Sequence, residues 1–180
     1  IMGSIIKVNE YKDFNNNDIM TSDGAGVITP NATGIKNTPA FSAYYSGGGF
    51  TISDATWTTS QITTEFYDTD GAFDTSTYRF TPQTAGKYSF FGNFRGGHSD
   101  NNCINNAAIR ILKNSSSITY SAWTSDVTSS NPKQYNMSIS GSCDLNGSSD
   151  YVTLQIYLDM VSQTPTIYNS YFGGYKIIGA

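Results

Sequence analysis

The chain has 180 residues, which suits one domain with a short appendage, and charged residues make up only 13% of it. The formal net charge is −4 and no cluster of Lys and Arg occurs, which disfavours nucleic acid because phosphates attract clustered positive charge. No stretch approaches the roughly 20 apolar residues that cross a bilayer, and no basic segment followed by an apolar one indicates a signal peptide, so we expect neither nucleic-acid binding nor membrane insertion.

Residues 1–38 differ in composition from the rest of the chain. The segment IIKVNEYKDF can form one strand, whereas the residues that follow are rich in Asn, Asp, Gly, Thr and Ser. These residues have too few apolar groups to form a core of their own. We predict an extended arm that needs a partner surface, and the alternative is a merely flexible tail.

Residues 39–180 contain short alternating runs separated by Gly, Asn, Asp, Ser and Pro, and no window shows helical periodicity. The clearest run is YVTLQIYLDM, in which five apolar side chains share one face: Val152, Leu154, Ile156, Leu158 and Met160. Other predicted strands are 40–46, 61–67, 86–95, 107–113, 117–123, 135–140 and 170–178. A tight turn is predicted at 114–116. Many short strands in this length indicate a sandwich, a jelly roll or a barrel.

One spaced pattern lies in the segment ITTEFYDTDGAFDTSTYRFTPQTAGKYSF. Its anchors follow one another in a fixed order: Asp68, Phe73, Phe80, Gly86, Tyr88 and Phe90. Two other segments accompany it, PAFSAYYS at residues 39–46 and SYFGGYKI at residues 170–177. The second of these contains three further anchors: Phe172, Gly174 and Tyr175. We expect the aromatic anchors to be core residues rather than a ligand cage, and we expect the two adjacent glycines to allow close backbone approach or a bulge.

These segments resemble the complement component 1q globular-head family, which is related to the tumour necrosis factor fold. Two positions depart from the family pattern, since Ile62 stands where Phe is usual and Gly92 where an aromatic residue is usual. The resemblance implies that residues 39–180 form an antiparallel two-sheet jelly-roll sandwich of about ten strands. It also implies a homotrimer formed through one sheet of each sandwich.

The arm carries a second resemblance. The segment IKVNEYKDFNNNDIMTSDGAGVIT is similar to the start of many bacteriophage fibre and head-decoration proteins, in which an I-x-V-N-x-x-x-D/N-x-x-x-x-D-I pattern and an SDGxG turn precede a trimeric head. The resemblance implies that residues 1–38 attach to other virion proteins. The sandwich would then point outward from the capsid or the tail, after synthesis in the host cytoplasm.

The sequence offers little catalytic chemistry. The one histidine, His98, lies in a polar GGHSD segment, and no nucleophile, zinc or phosphate-loop pattern occurs. No carboxylates are paired in an apolar setting that would raise a pKa. We therefore expect that the chain is not an enzyme and needs no cofactor.

Calcium is the one metal that the sequence suggests. The segment DTDGAFD places Asp68, Asp70 and Asp74 at spacings that begin like a calcium loop. The remaining ligand positions and the terminal Glu of that loop are missing. We therefore favour a polar turn between strands, with a calcium site as the alternative.

Cys103 and Cys143 are the two cysteines. They are either free thiols, as in proteins made in a reducing cytoplasm, or a single bridge that ties two loops together. Sequence does not decide between these, because bridging depends on the separation of the Cα atoms.

The function predicted from these features is that of a bacteriophage virion structural protein. It would be a homotrimeric capsid decoration or tail-fibre appendage that is attached through its arm. Loops at 96–106 and 124–133 are candidate contacts for adhesion to a host-surface glycan or protein, since binding residues concentrate on loops held by a rigid scaffold. The alternative is a soluble lectin-like or ligand-like trimeric module outside a virion. A glycan-cleaving fibre is disfavoured because paired carboxylates are missing.

Overall fold

The chain folds almost entirely as β-strands joined by turns. The computed structural model describes residues 10–31, 37–100, 103–125 and 131–178. Over these residues there are fifteen strands and no helix. It follows that the described part of the chain holds no helix long and apolar enough to cross a membrane. The all-β class predicted from the alternating runs is confirmed.

Three strands precede the sandwich: β1 (Glu10–Lys12), β2 (Asp18–Ser22) and β3 (Ile28–Pro30). They form an antiparallel sheet in the order β1-β2-β3. The sequence predicted one strand and then an extended segment, whereas the structure has two hairpins. They form because the Asp13 and Asp23 carboxylates each accept backbone N–H groups within their own turn. All three strands are exposed or half-buried, which agrees with a segment that lacks its own core.

Two larger sheets form the sandwich. The remaining strands in chain order are β4 (Ala40–Tyr44), β5 (Phe50–Thr51), β6 (Thr58–Thr59), β7 (Thr64–Asp68), β8 (Phe73–Asp74), β9 (Arg79–Phe80), β10 (Gly86–Gly97), β11 (Ile104–Lys113), β12 (Ser116–Thr124), β13 (Gln134–Leu145), β14 (Val152–Met160) and β15 (Thr166–Lys176). The front sheet has the order β13-β10-β15-β4-β7, with β5 paired to β15. The back sheet has the order β12-β11-β14-β9-β8, with β6 paired to β14. All pairings are antiparallel.

The predicted strands of residues 39–178 are all present, and several are longer than predicted. The strand predicted at 135–140 is the long β13, and the turn predicted at 114–116 separates β11 from β12. Asn114 and Ser115 both have positive φ there, as a tight hairpin turn requires. The structure adds the two-residue strands β5, β6, β8 and β9, which are too short to show alternation in a sequence.

The core lies between the two sheets and is rich in aromatic rings. Phe41 of the front sheet stacks on Phe73 and Phe80 of the back sheet, with ring centroids 4.8 and 4.5 Å apart. Phe80 also meets Tyr88 and Phe90 edge-on, each at 5.7 Å. On β14, the five apolar side chains predicted to share one face are all buried. The predicted faces are therefore confirmed.

The packing explains why position 92 holds a glycine where the family pattern has an aromatic residue. Gly92 lies on the core side of β10, between the buried rings of Phe90 and Phe94. A Cβ atom at this position would lie 2.7 Å from Cδ1 of Leu154, which projects from the opposite sheet. Leu154 is itself buried in the core, with 1% of its surface exposed. The glycine thus makes room for the leucine.

The Gly92→Ala substitution tests this fit. We expect it to lower the free energy of unfolding by about 1–3 kcal/mol, since an extra methyl group overpacks a filled core. Gly48→Ala is the matched control, because a Cβ there would meet nothing within 4 Å, and we expect a change below about 0.5 kcal/mol. Chemical denaturation measures both values. Equal stability of the two variants would show that Leu154 does not fill this space.

Candidate functional site

The outer face of the front sheet, which we call the front face, carries a second set of aromatic side chains. Along β10 the rings of Phe90 and Phe94 point into the core, so Phe91 between them points outward and is 42% exposed. On β15 Phe172 is buried, whereas Tyr171 and Tyr175 on either side of it are exposed. The alternation that fills the core therefore also places aromatic rings on the surface.

Phe91 lies at the centre of the front face. Its neighbours in the strand register are Ser140 on β13 and Gly173 on β15, and Ser42 on β4 follows Gly173. A Cβ atom on Gly173 would lie 2.4 Å from Cζ of Phe91, so the ring lies directly over the glycine backbone. The close approach predicted for the two adjacent glycines is confirmed here. Small neighbours on three strands leave the Phe91 ring accessible from outside.

Three further rings form a stack at one side of the front face. Tyr44 lies 4.4 Å from Phe66 and 6.0 Å from Tyr171, measured between ring centroids, and all three rings are close to parallel. Phe66 is 61% exposed. It has no partner in the register of β4 and β7, where Ser42 pairs with Tyr67 and Ala43 with Glu65. This bulge aims the Phe66 ring at Tyr44.

Charges lie at the margins of the front face. Lys87 and Asp144 form an ion pair of 2.7 Å at one end of β10 and β13. Arg95, towards the other end of β10, lies 5.3 Å from the ring centroid of Tyr168. The rows between them present aromatic, serine, asparagine and glycine residues. A contiguous, uncharged and aromatic surface is rare on a monomer and is typical of an interface.

The sequence motif pointed to the other side of this sheet. Most of its aromatic anchors are core residues, as predicted: Phe73, Phe80, Tyr88, Phe90 and Phe172. Tyr175 is the exception, since it is 40% exposed on the front face. The sequence signal for the front face lies in the residues that alternate with the core anchors along the same strands. These outward-pointing residues include Phe91, Tyr171 and Tyr175. The motif gave no role to Phe91 and Tyr171, and it wrongly placed Tyr175 among the core anchors.

Three anchors have specific backbone or buried roles. Gly86 begins β10 with a φ of 152°, which a side chain rarely allows. Gly174 lies under Phe90, whose Cδ1 would be 2.4 Å from an added Cβ. Burial, followed by the charge of Asp70, raises the pKa of Tyr88 to about 12. The Tyr88 hydroxyl donates to the carbonyl of Thr84 at 2.7 Å.

The carboxylates of the calcium candidate close their own turns. Asp68 accepts hydrogen bonds from the backbone N–H of Phe73 at 2.7 Å and of Asp70 at 3.3 Å. Asp70 accepts one from the Thr69 hydroxyl. In the part of the chain that the structure describes, no three His, Cys, Asp or Glu side chains come together as a metal site. The geometry supports the polar turn, and a calcium site at these residues stays a prediction.

Cys103 and Cys143 are both free thiols. Cys103 Sγ lies 3.6 Å from the carbonyl of Lys133, just before β13 begins at Gln134. Cys143 lies on the same strand nine residues beyond Gln134, which is about 30 Å along a strand. A disulfide needs Cα atoms closer than about 7 Å. The bridged alternative is therefore excluded by this geometry.

The two loops predicted as contacts are described only in part. Residues 101–102 and 126–130 lie outside the described residues. In the first loop, His98 Nδ1 accepts a hydrogen bond from the backbone N–H of Asp100 and lies 3.4 Å from its carboxylate. The role of both loops in adhesion stays a prediction.

Three solved structures share this fold. The globular domain of the zebrafish complement 1qA protein is 18% identical, with a TM-score of 0.54 over 78% of this chain and 98% of its own. The Eiger TNF of S. frugiperda is 12% identical, with a TM-score of 0.57 over 79% of this chain and 95% of its own. The PRD1 vertex protein P5 is 17% identical, with a TM-score of 0.55 over 79% of this chain and 99% of its own.

At such identities the likeness establishes the fold alone. It confirms the jelly roll of the complement 1q and tumour necrosis factor type that the spaced motif predicted. No protein-family model and no curated protein matches this sequence.

The turn after β8 predicts a measurable pH dependence. Hydrogen bonds from the Ser76 hydroxyl and N–H and from the Thr77 hydroxyl lower the pKa of Asp74 from its ordinary 3.8 to about 2. A depressed pKa stabilises the fold above the unfolded value, and this stability is lost as the pH falls towards 2. We expect Asp74→Asn to lose less of its thermal midpoint than wild type between about pH 4 and pH 2. Identical losses would contradict these hydrogen bonds.

Proposed function

We propose that this chain is a non-enzymatic structural protein, a homotrimeric jelly-roll appendage on the surface of a bacteriophage virion. The front face is the observation that supports the oligomeric part of this proposal. This face contains the exposed Phe91 and the stack of Tyr44, Phe66 and Tyr171, and its charged residues lie at its margins. Exposure of these rings to water is unfavourable, and a partner surface of the same kind would remove it.

The front face is large enough for a stable contact. Strands β10, β13 and β15 are up to about 40 Å long, β4 and β7 with five residues each are about 17 Å long, and neighbouring strands lie about 4.8 Å apart. The resulting area of roughly 700 Å² is close to the value of about 800 Å² that one partner buries in a standard interface. Identical faces that meet around a rotation axis form a closed oligomer. The choice of a threefold axis follows from the resemblance to the complement-head family.

The arm supports the virion part of the proposal. Its pattern resembles the start of phage fibre and decoration proteins, and among its described residues Tyr11, Phe14 and Ile28 are exposed. Strands β1–β3 pair with one another and with no other described strand. Contact with another virion protein would bury these apolar side chains. The same fold occurs in the PRD1 vertex protein P5, which is compatible with the proposal.

The Phe91→Asp substitution tests the trimer. We expect the wild-type protein to have three times the 19.6 kDa chain mass in light scattering, and the variant to have the mass of one chain. The reason is that three carboxylates would be brought together in a desolvated contact. Tyr120→Asp is the matched control, because Tyr120 is 60% exposed on the opposite sheet, and we expect it to stay trimeric.

Circular dichroism would verify that each variant is folded. A monomeric wild-type protein would refute the trimer. A Phe91→Asp variant that remains trimeric would show that the front face is not the interface.

Deletion of residues 2–38 tests the arm. Since the sandwich pairs no strand with β1–β3, we expect the shortened protein to remain a folded trimer that no longer joins phage particles. Binding to particles that lack the protein, followed by electron microscopy, measures this and locates the full-length chain on capsid or tail. Incorporation of the shortened protein would contradict attachment through the arm.

A further inference from the structure

The outer face of the back sheet carries a shallow notch lined by aromatic and amide side chains. The walls are the rings of Trp57, Tyr120 and Tyr157, with the Trp57 centroid 5.4 Å from that of Tyr157 and 6.0 Å from that of Tyr120. Asn106 and Ala108 complete the lining. The cavity has a volume of about 240 Å³. These five residues define what we call the back-face notch.

The strand register creates the notch. Ala108 on β11 lies between Ala122 on β12 and Tyr157 on β14. Ile156 and Leu158 point into the core, so Tyr157 points outward. The small side chain of Ala108 makes a low floor beside the tall ring of Tyr157. Trp57 lies beside Tyr157 because β6, which begins directly after Trp57, pairs with β14.

A hydrogen-bonded row holds the Trp57 ring in position. The Arg110 guanidinium lies 4.1 Å from the ring centroid of Trp57. Its Nε and Nη2 donate to Oε1 of Gln155 at 2.9 and 2.6 Å, and Gln155 donates to the hydroxyl of Thr59 at 3.4 Å. Among the described residues, none of the ion pairs involves Arg110. The Arg110 guanidinium therefore orients the Trp57 indole and the Gln155 amide, so that the notch is preorganised.

Asn106, one of the residues that line the notch, has an unpaired side-chain acceptor. Its Oδ1 atom is buried and has no hydrogen-bond partner among the described residues. Buried polar atoms in folded proteins are nearly always paired, and an unpaired one is destabilising. Because the atom is buried, a ligand hydroxyl can satisfy it only when the Asn106 side chain turns towards the notch.

We propose that the back-face notch binds one pyranose ring of a glycan. The C–H groups of a sugar face pack on aromatic rings, whose faces carry partial negative charge. A sugar hydroxyl can donate to Asn106 Oδ1 once that side chain turns towards the notch, and the Tyr120 hydroxyl can donate to or accept from another. The notch is smaller than the roughly 300–1,000 Å³ that drug-sized ligands occupy, which suits a single ring.

A second depression next to the notch extends the site to an oligosaccharide. It has a volume of about 270 Å³ and a polar lining that includes Ser76, Thr77, Arg79 and Gln155. Thr153 of this lining lies on the same face of β14 as Tyr157, four residues away, which is about 13 Å. Gln155 lies between Thr153 and Tyr157 on β14 and also binds Arg110, so both depressions lie on one surface, and we expect the second to contact a further sugar ring.

Charge and size argue for a glycan over other occupants. Nucleic acid bases also stack on aromatic rings, but their phosphates need clustered cations, and this chain has a net charge of −4. A protein partner would bury about 800 Å² of the surface, far more than a one-ring notch. The proposal depends neither on the trimer nor on the virion, because the notch is complete within one chain.

Binding of full-length protein to an array of neutral, N-acetylated and acidic oligosaccharides tests the proposal. Titration calorimetry with the best-retained oligosaccharide then gives its affinity. We expect Tyr120→Ala and Asn106→Ala each to weaken binding at least tenfold. The matched control is Tyr11→Ala, since Tyr11 on the arm is 56% exposed, close to the 60% of Tyr120, and we expect its affinity to stay within twofold of wild type.

Asn106→Ala separates a binding role from a structural one. Because it removes an unpaired buried acceptor, we expect its thermal midpoint to equal or exceed that of wild type while its affinity falls. In a Trp123→Phe background, Trp57 fluorescence reports the occupied notch directly. Retention of no oligosaccharide on the array overturns the proposal. Unchanged affinity in both notch variants overturns it equally, whatever the oligomeric mass.

Discussion

The fold depends on the contact of aromatic rings across the sandwich at Phe41. This side chain is fully buried on the front sheet and stacks on Phe73 and Phe80, which belong to the two short strands β8 and β9 of the back sheet. Phe172 meets it edge-on at 5.1 Å. Loss of such a ring typically costs about 3–5 kcal/mol, a large part of the stability of a whole domain. The short strands β8 and β9 pair over only two residues, so this packing holds them in the sheet.

The rule that fills this core also sets both surfaces. A strand presents every second residue to each side, so each buried ring is flanked by an outward position. On the front sheet those positions hold Phe91, Tyr171 and Tyr175, and on the back sheet they hold Arg110, Gln155 and Tyr157. The two faces differ in character. The front face has its rings at the centre and charges at the margins, whereas the back face mixes rings with the hydrogen-bonded pair of Arg110 and Gln155 and with the unpaired amide oxygen of Asn106.

Alternation and spacing predicted the fold class, the long strands and most buried anchors, because these depend on local sequence. They did not predict the short strands β5, β6, β8 and β9, since two residues carry no period. They also did not predict either surface. The approach of Trp57 to Arg110 depends on the register of three strands that are far apart in sequence. The position of Phe66 depends on a bulge that local patterning does not reveal.

The two proposed surfaces constrain each other through geometry. A trimer that buries the front faces around its axis turns the back faces outward, because the two lie on opposite sides of one sandwich. Three notches would then be displayed together on each appendage. A single shallow notch contacts few ligand atoms and has a low ceiling on its affinity. Simultaneous engagement of linked sites can raise overall binding by a factor of about 10² to 10⁴ without any new contact. Oligomerisation would thus make a weak site on the back sheet effective on a surface that presents many copies of one glycan.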